Sequence, residues 1–243
     1  MIIMSYISDL LEVSTGSVIA VVGCGGKSSL IELIAKHNIE KKVLITATTK
    51  IFPIVSNDVI LCDTIKSSVT HKPQTGIQCL GQLNRRNGKL ESLPDSVLLK
   101  MINSYDIVLL EADGSRWLPC KGWRDNEPVV PGYCTHTVGV VTMNALGKAA
   151  TNDIVHRLPE FLSLTGLRAG DIITEKALVD MVCLQDGMFK GSKGKQYLLV
   201  NRVEDDKNIH AAESFLQFIK TKYPDRFRKL IYGSVHRNDW QKV

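Results

Sequence analysis

Apolar positions in the first half of the chain fall in short unbroken runs, separated by stretches with helical spacing. Ser17 to Gly23 and Lys42 to Ala47 are almost wholly apolar, and Asp58 to Cys62 is a shorter run of the same kind. Between the first two, Leu30, Ile31, Ile34 and Ala35 share one helical face, which predicts a helix over Ser28 to Lys36. Runs with little alternation, set between helices, predict parallel strands covered on both faces. Gly76 to Leu83 and Gly88 to Leu93 flank Asn84-Arg-Arg-Asn87 and read as an edge hairpin. Pro94 to Ile102 reads as a helix leading into Tyr105 to Glu111, the most apolar strand in the chain.

Gly114 to Tyr133 is rich in Gly, Pro and charge, and its length predicts a functional loop rather than a connector. Strand Thr137 to Thr142, helix Asp153 to Leu164 and a short helix over Thr174 to Val182 follow. Strand Gln196 to Asn201, helix Asp206 to Thr221 and a last strand, Lys229 to Ser234, close the pattern. The expected fold is α/β and doubly wound: a mainly parallel sheet with helices on both faces, an edge hairpin, and a small helical insertion over 153–195. No linker composition divides it, so residues 1–243 are expected to form one domain.

The net charge of +5 is mild, and the basic clusters at Lys190 to Lys195 and Arg226 to Lys229 have few aromatics beside them. They read as solvated faces, and nucleic acid is not an expected partner. The six cysteines include no C-x-x-C pair, so reduced thiols are expected rather than a metal knuckle or disulfide framework. No run of 18 apolar residues exists and the first residues lack a cleavage pattern, which predicts a soluble cytoplasmic protein with no membrane association.

Val21 to Leu30 reads V-V-G-C-G-G-K-S-S-L. A buried strand running into glycines and a Lys-Ser pair predicts a phosphate cradle, although Gly23 and Gly26 have two residues between them where the common form has four. Backbone N–H groups of Gly23, Cys24, Gly25 and Gly26, with Ser29 beyond them, would face phosphate at a helix start. Lys27 would reach the outer phosphates and Ser28 a magnesium ion. A degenerate dinucleotide fingerprint is the competing reading, but the second strand ends in Thr46-Ala-Thr-Thr-Lys50 with no carboxylate for a ribose.

The strand Ile107 to Leu110 runs into Glu111-Ala-Asp113-Gly114. A carboxylate at the tip of a buried strand can complete a magnesium shell or orient water, which makes Lys27, Glu111 and Asp113 the candidate catalytic set, with Ser28, Glu111 and Asp113 as metal ligands. Leu198-Leu-Val-Asn201-Arg-Val-Glu204-Asp205 is similar to the Asn-Lys-x-Asp guanine reader of GTP-binding proteins. Asn201 and either Glu204 or Asp205 are the candidates there, and a plain strand-to-helix turn with acidic capping is the alternative. Thr49, beside Thr46, Thr48 and Lys50, is either a phosphate or acidic-substrate contact or part of a turn.

These segments together resemble the YqeC family, described as accessory proteins of selenium-dependent molybdenum hydroxylases. The match runs through V-V-G-C-G-G-K-S-S-L, L-I-T-A-T-T-K-I, the stretch from Ile107 to Pro131, N-A-L-G-K, V-H-R around His156 and L-L-V-N-R-V-E-D. The resemblance implies a variant of the phosphate-loop nucleoside triphosphatases. It also implies binding of ATP or GTP with Mg2+ and, as partner, a molybdenum hydroxylase or that enzyme's cofactor-maturation proteins. The short loop is similar to that of the Mur ligases, and the Glu-ended strand resembles nucleotide-dependent metal-insertion factors. The chain departs from the family at Ala47, Trp117 and Cys120. Alternative functions are an ATP-dependent ligase or kinase acting on a small acidic metabolite, and an NAD(P)-binding or non-hydrolysing cofactor-transfer scaffold. Arg116, Lys121 and Glu127 in the central loop, and His156, stand as further candidates.

Overall fold

The computed structural model describes residues 6–54, 56 and 58–243. After a short helix α1 (Ile7–Leu10), strand β1 (Ser17–Gly23) enters the protein with every residue buried and turns into helix α2 (Lys27–Lys36). Strands β2 (Lys42–Ala47) and β3 (Val59–Cys62), helix α3 (Ile65–Thr70) and strand β4 (Gly76–Leu80) follow. A small hairpin of β5 (Gln82–Asn84) and β6 (Lys89–Glu91), helix α4 (Asp95–Ile102), central strand β7 (Ile107–Glu111) and the two-residue β8 (Cys120–Lys121) come next. The second half comprises β9 (His136–Val141), β10 (Val155–His156), α5 (Leu158–Thr165), α6 (Glu175–Cys183), β11 (Lys195–Val200), α7 (Asp206–Lys222), β12 (Lys229–Ser234) and β13 (Asp239–Lys242).

Nine strands form one sheet in the order β13-β12-β11-β9-β1-β7-β2-β4-β3. All its pairings are parallel except β12 with β13. The fold is therefore the α/β, mainly parallel arrangement expected of the unbroken apolar runs. The period of two along each strand divides the core. Val18, Ala20 and Val22 of β1 join Leu44, Leu110 and Val200 on one face. Ile19 and Val21 join Ile45, Leu109 and Val140 on the other, under Leu30, Ile31 and Ile34 of α2. Strands that precede β7 build outward on one side of β1, and strands that follow it build on the other side. Such a switch point leaves a crevice beyond the carboxyl ends of the strands, where ligands bind in open α/β sheets.

Several expectations are corrected. Gly76 to Leu83 is not a hairpin arm. Residues 76–80 lie parallel between β2 and β3 in the main sheet, and the chain leaves it at Gly81, where a Cβ would stand 2.4 Å from Leu90 Cγ. Only Gln82–Asn84 and Lys89–Glu91 pair as the hairpin. The helix expected from Asp153 begins at Leu158, because an earlier start would bury Pro159 in the helix interior with no N–H for Val155 O. Residues 155–156 instead form a strand against Cys120–Lys121, so His156 stands on a strand and the central loop is stitched to the segment before α5. Lys229–Ser234 is not the last strand, since β13 pairs with it antiparallel. The helices α1 and α3 had no counterpart in the sequence reading.

Candidate functional site

The end of β1 and the start of α2 form a tight cradle. Gly23 has φ +99° and a Cβ there would lie 2.3 Å from Val140 O; Gly26 has φ +123° and would meet Asn201 Nδ2 at 2.4 Å. Both positions exclude a side chain on conformation and on space. Gly23 N–H donates to both oxygens of Asp113 at 3.1 Å, and Cys24 N–H to Val140 O at 2.9 Å. The next five N–H groups, from Gly25, Gly26, Lys27, Ser28 and Ser29, have no acceptor among the described residues; the ladder of α2 begins with Leu30 N–H to Gly26 O at 3.0 Å. Unpaired donors at a helix start, with the positive end of the helix dipole behind them, suit an anion.

Two carboxylates stand under the cradle, and their surroundings differ. Val21 and Ala47 sit in register with Glu111, the last residue of β7. Its Oε2 accepts from Ser28 Oγ at 2.6 Å and its Oε1 lies 3.7 Å from Lys27 Nζ. Asp113 is wholly buried. Its oxygens take Gly23 N–H, Trp123 Nε1–H at 2.7 Å, Lys121 Nζ at 3.2 Å and Lys27 Nζ at 3.3 Å. Burial alone would raise its pKa, but the two ammonium groups, with the indole and backbone donors, hold it below the usual carboxylate range. Burial likewise pulls Lys27 down, and Asp113 with Glu111 outweighs it, so the lysine stays charged. Lys27 Nζ also donates to Gly23 O at 2.7 Å.

The pairing continues outward. Lys121, fully buried, reaches Glu127 Oε2 at 3.3 Å and Gly114 O at 2.6 Å, and Glu127 in turn pairs with Arg157. Two of the central-loop candidates, Lys121 and Glu127, thus stand in one row with the cradle, in which negative and positive groups alternate from Glu111 to Arg157.

The other candidates separate by position. Cys24 is buried, its Sγ donates to Pro119 O at 3.1 Å, and burial pushes its thiol up to about 12, so its side chain supplies no thiolate. Cys120 is equally buried, 3.3 Å from Met181 Sδ. Asn201 is buried and clamps two loops: Nδ2 donates to Gly25 O at 2.7 Å, and Oδ1 accepts from Val235 N–H at 2.9 Å. Glu204 accepts from Ser234 Oγ at 2.7 Å, whereas Asp205 caps α7 through Asn208 N–H at 2.8 Å. Thr49 Oγ1 is buried and has no hydrogen-bond partner among the described residues, and Lys50 pairs with Glu91 at 2.7 Å. Burial, followed by the charges of Lys121, Arg157 and Arg116, holds His156 down to about 4, so it is neutral near pH 7.

Two cavities of about 730 Å³ each meet at the cradle, whose residues Gly25 to Ser29 line the second of them. One opens toward Asn201, Glu204, Asn208 and His236; the other opens toward Phe52, Arg116 and Trp117. Ser29 and Arg202 border both.

A family model described as YqeC protein matches residues 19–159, which takes in the cradle, both carboxylates and the central loop. The chain belongs to the YqeC family. It is also 28% identical to the uncharacterized protein YqeC of Escherichia coli (strain K12), over 88% of this chain and 86% of that protein.

Sequence reasoning about this family site did not find Trp123 as a donor to Asp113, Arg157 as a partner of Glu127, or Phe52 and Trp117 as neighbours. Trp123 had a signal, as an aromatic within a loop that also holds carboxylates, whereas Arg157 lies outside that loop, 30 residues from Glu127. The third pair had none, because a long stretch of chain separates the two residues.

Among the described residues no group of three or more His, Cys, Asp and Glu side chains is placed to hold a metal ion. The Ser28–Glu111 pair nevertheless offers the hard oxygen donors that suit magnesium, an ion that usually keeps waters and phosphate oxygens as its remaining ligands. No helix among the described residues is long and apolar enough to cross a membrane.

Proposed function

We propose that this YqeC-family protein binds ATP or GTP with Mg2+ and acts as an accessory factor in the maturation of a selenium-dependent molybdenum hydroxylase. The observation that carries the reading is the run of five unpartnered N–H groups from Gly25 to Ser29, directly above Lys27 and the Ser28–Glu111 pair. Phosphate lies on those donors, and Lys27 neutralises its charge. Ser28 and Glu111 are the residues that hold magnesium; when bound, the ion adds further neutralisation of phosphate charge. Asp113 has a different task. With its oxygens already engaged by Gly23, Trp123 and two lysines, it positions the cradle and Lys27 rather than meeting ligand. Asn201 and Glu204 border the cavity that takes the nucleoside end.

An ATP-dependent ligase or kinase acting on a small acidic metabolite is the second reading, favoured by the basic cavity that runs from the cradle to Arg116 and Trp117. Calorimetry of the purified protein with magnesium and ATP or GTP, beside Lys27→Ala, tests the common part. Saturable binding to wild type that chelation weakens and Lys27→Ala abolishes is the expected result. Heats indistinguishable between the two proteins would sink both readings. Turnover that begins only when an acidic metabolite is added would favour the second.

A further inference from the structure

The cavity on the Trp117 side is lined by Gly25 to Ser29 and Glu111 and extends beyond them to Phe52, Arg116 and Trp117, and four observations describe what that outer part fits. First, the cavity's volume of about 730 Å³ suits one small molecule rather than a polymer segment. Second, Phe52 and Trp117 stack at its wall with ring centroids 5.4 Å apart and planes 16° from parallel. The stacked rings cover each other's inner faces, and Trp117 is 83% exposed, so its outer face is a flat aromatic shelf open to solvent with Phe52 behind it.

Third, the backbone that presents this shelf is conformationally unfavourable. Arg116 has φ +51°, Trp117 +62° and Arg202 +64°, all at the same cavity and none a glycine. Side chains held in the left-handed region cost about 1–3 kcal/mol each and persist where the surroundings dictate them, most often at ligand sites. Fourth, the lining carries five basic groups (Lys27, Lys50, Lys89, Arg116, Arg202) against two acidic ones, Glu32 and Glu111. Lys27 and Lys50 already face carboxylates, but Arg116 and Arg202 have no carboxylate partner among the described residues. Lys89 stands over the Phe52 ring, 5.2 Å from its centroid.

We infer that this cavity is a second ligand site, for a planar heteroaromatic compound bearing a carboxylate or phosphate group. The ring system lies on the outer face of Trp117, which Phe52 backs, and Arg116 and Arg202 take the anionic group. Stacking accepts any flat π-face, so the shelf selects for planarity, while a planar guanidinium selects a carboxylate or phosphate by paired N–H donors. Because Ser28 and Glu111 line the same cavity, its ligand sits beside the phosphates of the proposed nucleotide. That adjacency rests on the nucleotide reading; the shelf and the arginines do not.

The test is calorimetry on the full chain with pterin carboxylate, unsubstituted pterin and cyclohexane carboxylate as probes. Each is run with and without magnesium and a non-hydrolysable ATP analogue. Pterin carboxylate should bind, and the two probes lacking either the charge or the plane should bind at least about tenfold more weakly, as expected when one of two recognition elements is lost. Trp117→Ala should weaken pterin carboxylate about five- to hundred-fold, the loss of one stacking contact, and leave the ATP analogue within about twofold. Arg116→Gln should remove the preference for the carboxylate. Since Trp117 is exposed, neither change threatens the fold, and unchanged melting temperatures would document it. No binding of pterin carboxylate would overturn the inference. So would equal weakening of the ATP analogue by Trp117→Ala, because the shelf would then be the nucleotide's own base platform. Pterin carboxylate binding in a protein that ignores the ATP analogue would support the second site while refuting the nucleotide reading.

Discussion

Replacing Asp113 by asparagine removes one negative charge from beneath the cradle and changes almost no volume. The wild-type carboxylate is fully buried between Lys27 Nζ at 3.3 Å and Lys121 Nζ at 3.2 Å. Asparagine can still accept from Gly23 N–H and Trp123 Nε1–H, but it leaves two buried ammonium groups sharing Glu111 and Glu127. Breaking a buried ion pair by removing one partner destabilises by about 3–5 kcal/mol. For 243 residues, an unfolding entropy of about 2.1 cal/mol/K per residue gives about 0.5 kcal/mol per degree. The expected fall in melting temperature is therefore about 6–10 °C, measured by calorimetry near pH 7. Glu111→Gln removes only the edge contacts to Ser28 and Lys27, and should lower the melting temperature by about 1–3 °C. It should instead weaken magnesium-dependent nucleotide binding. A second experiment uses Lys121→Met, which removes a buried charge of opposite sign. The double substitution with Asp113→Asn should then be clearly less destabilised than the sum of the two single ones. A fall of under about 2 °C for Asp113→Asn, or simple additivity in the double variant, would refute the claim that paired charge holds the cradle.

Gly26→Ala would place a methyl group 2.4 Å from Asn201 Nδ2 at a φ of +123°, so nucleotide affinity should fall at least about tenfold with a loss of about 1–3 kcal/mol in stability; full retention of both in calorimetry would contradict the geometry. His156, held down to about 4, binds its proton late in the folded chain, whereas the unfolded chain takes it up near pH 6.5. Its contribution to stability is thus complete above pH 6.5 and lost as pH falls toward 4. Between pH 7 and 5, melting curves of wild type should lose about 1 kcal/mol more than those of His156→Gln, with partial exposure allowed for, and equal losses would remove this account. All six cysteines are buried, and burial pushes Cys24 and Cys134 up to about 12. A thiol reagent at pH 8 should therefore label the native protein slowly and the denatured protein fully, and one fast native equivalent would show a reactive thiol.

Much of the sheet was legible because parallel strands buried on both faces leave little room for polar residues. Ser17–Gly23 and Lys42–Ala47 have the same bounds in sequence and structure for that reason. The hairpin misled because Asn84-Arg-Arg-Asn87 is a strong local turn signal, while the parallel pairing of Gly76–Leu80 with β2 and β3 is a long-range event that no local pattern records. The cradle, Ser28 and Glu111 were legible as a constellation, since glycines, Lys-Ser and a strand-end carboxylate carry chemistry in their order. The burial of Lys121 was not. A lysine in a polar loop reads as solvated, and only the β8–β10 pairing, with Asp113 on one side and Glu127 on the other, draws it fully inside. Trp117 and Phe52 meet only once the central loop folds back over the segment after β2.

The buried charges beneath the cradle also explain why two carboxylates stand so close in sequence and are not equivalent. Lys27, Lys121 and Arg157 balance Glu111, Asp113 and Glu127, and the signs alternate along the row. An anion arriving on the N–H groups of Gly25 to Ser29 competes for Lys27. The carboxylate best able to release that lysine is Glu111, whose contact is the looser at 3.7 Å and which keeps a hydrogen bond to Ser28. Asp113 cannot be left alone at full burial, and it is not, because Lys121, Trp123 and Gly23 remain on its oxygens whatever Lys27 does. The second lysine thus lets the first serve a ligand without leaving an uncompensated charge in the core, the condition under which breaking a buried pair is most destabilising. It also ties that freedom to the central loop, since Lys121 is held by Glu127 and, through it, by Arg157. The loop that carries Arg116 and Trp117 is therefore part of the same charge balance as the cradle it faces.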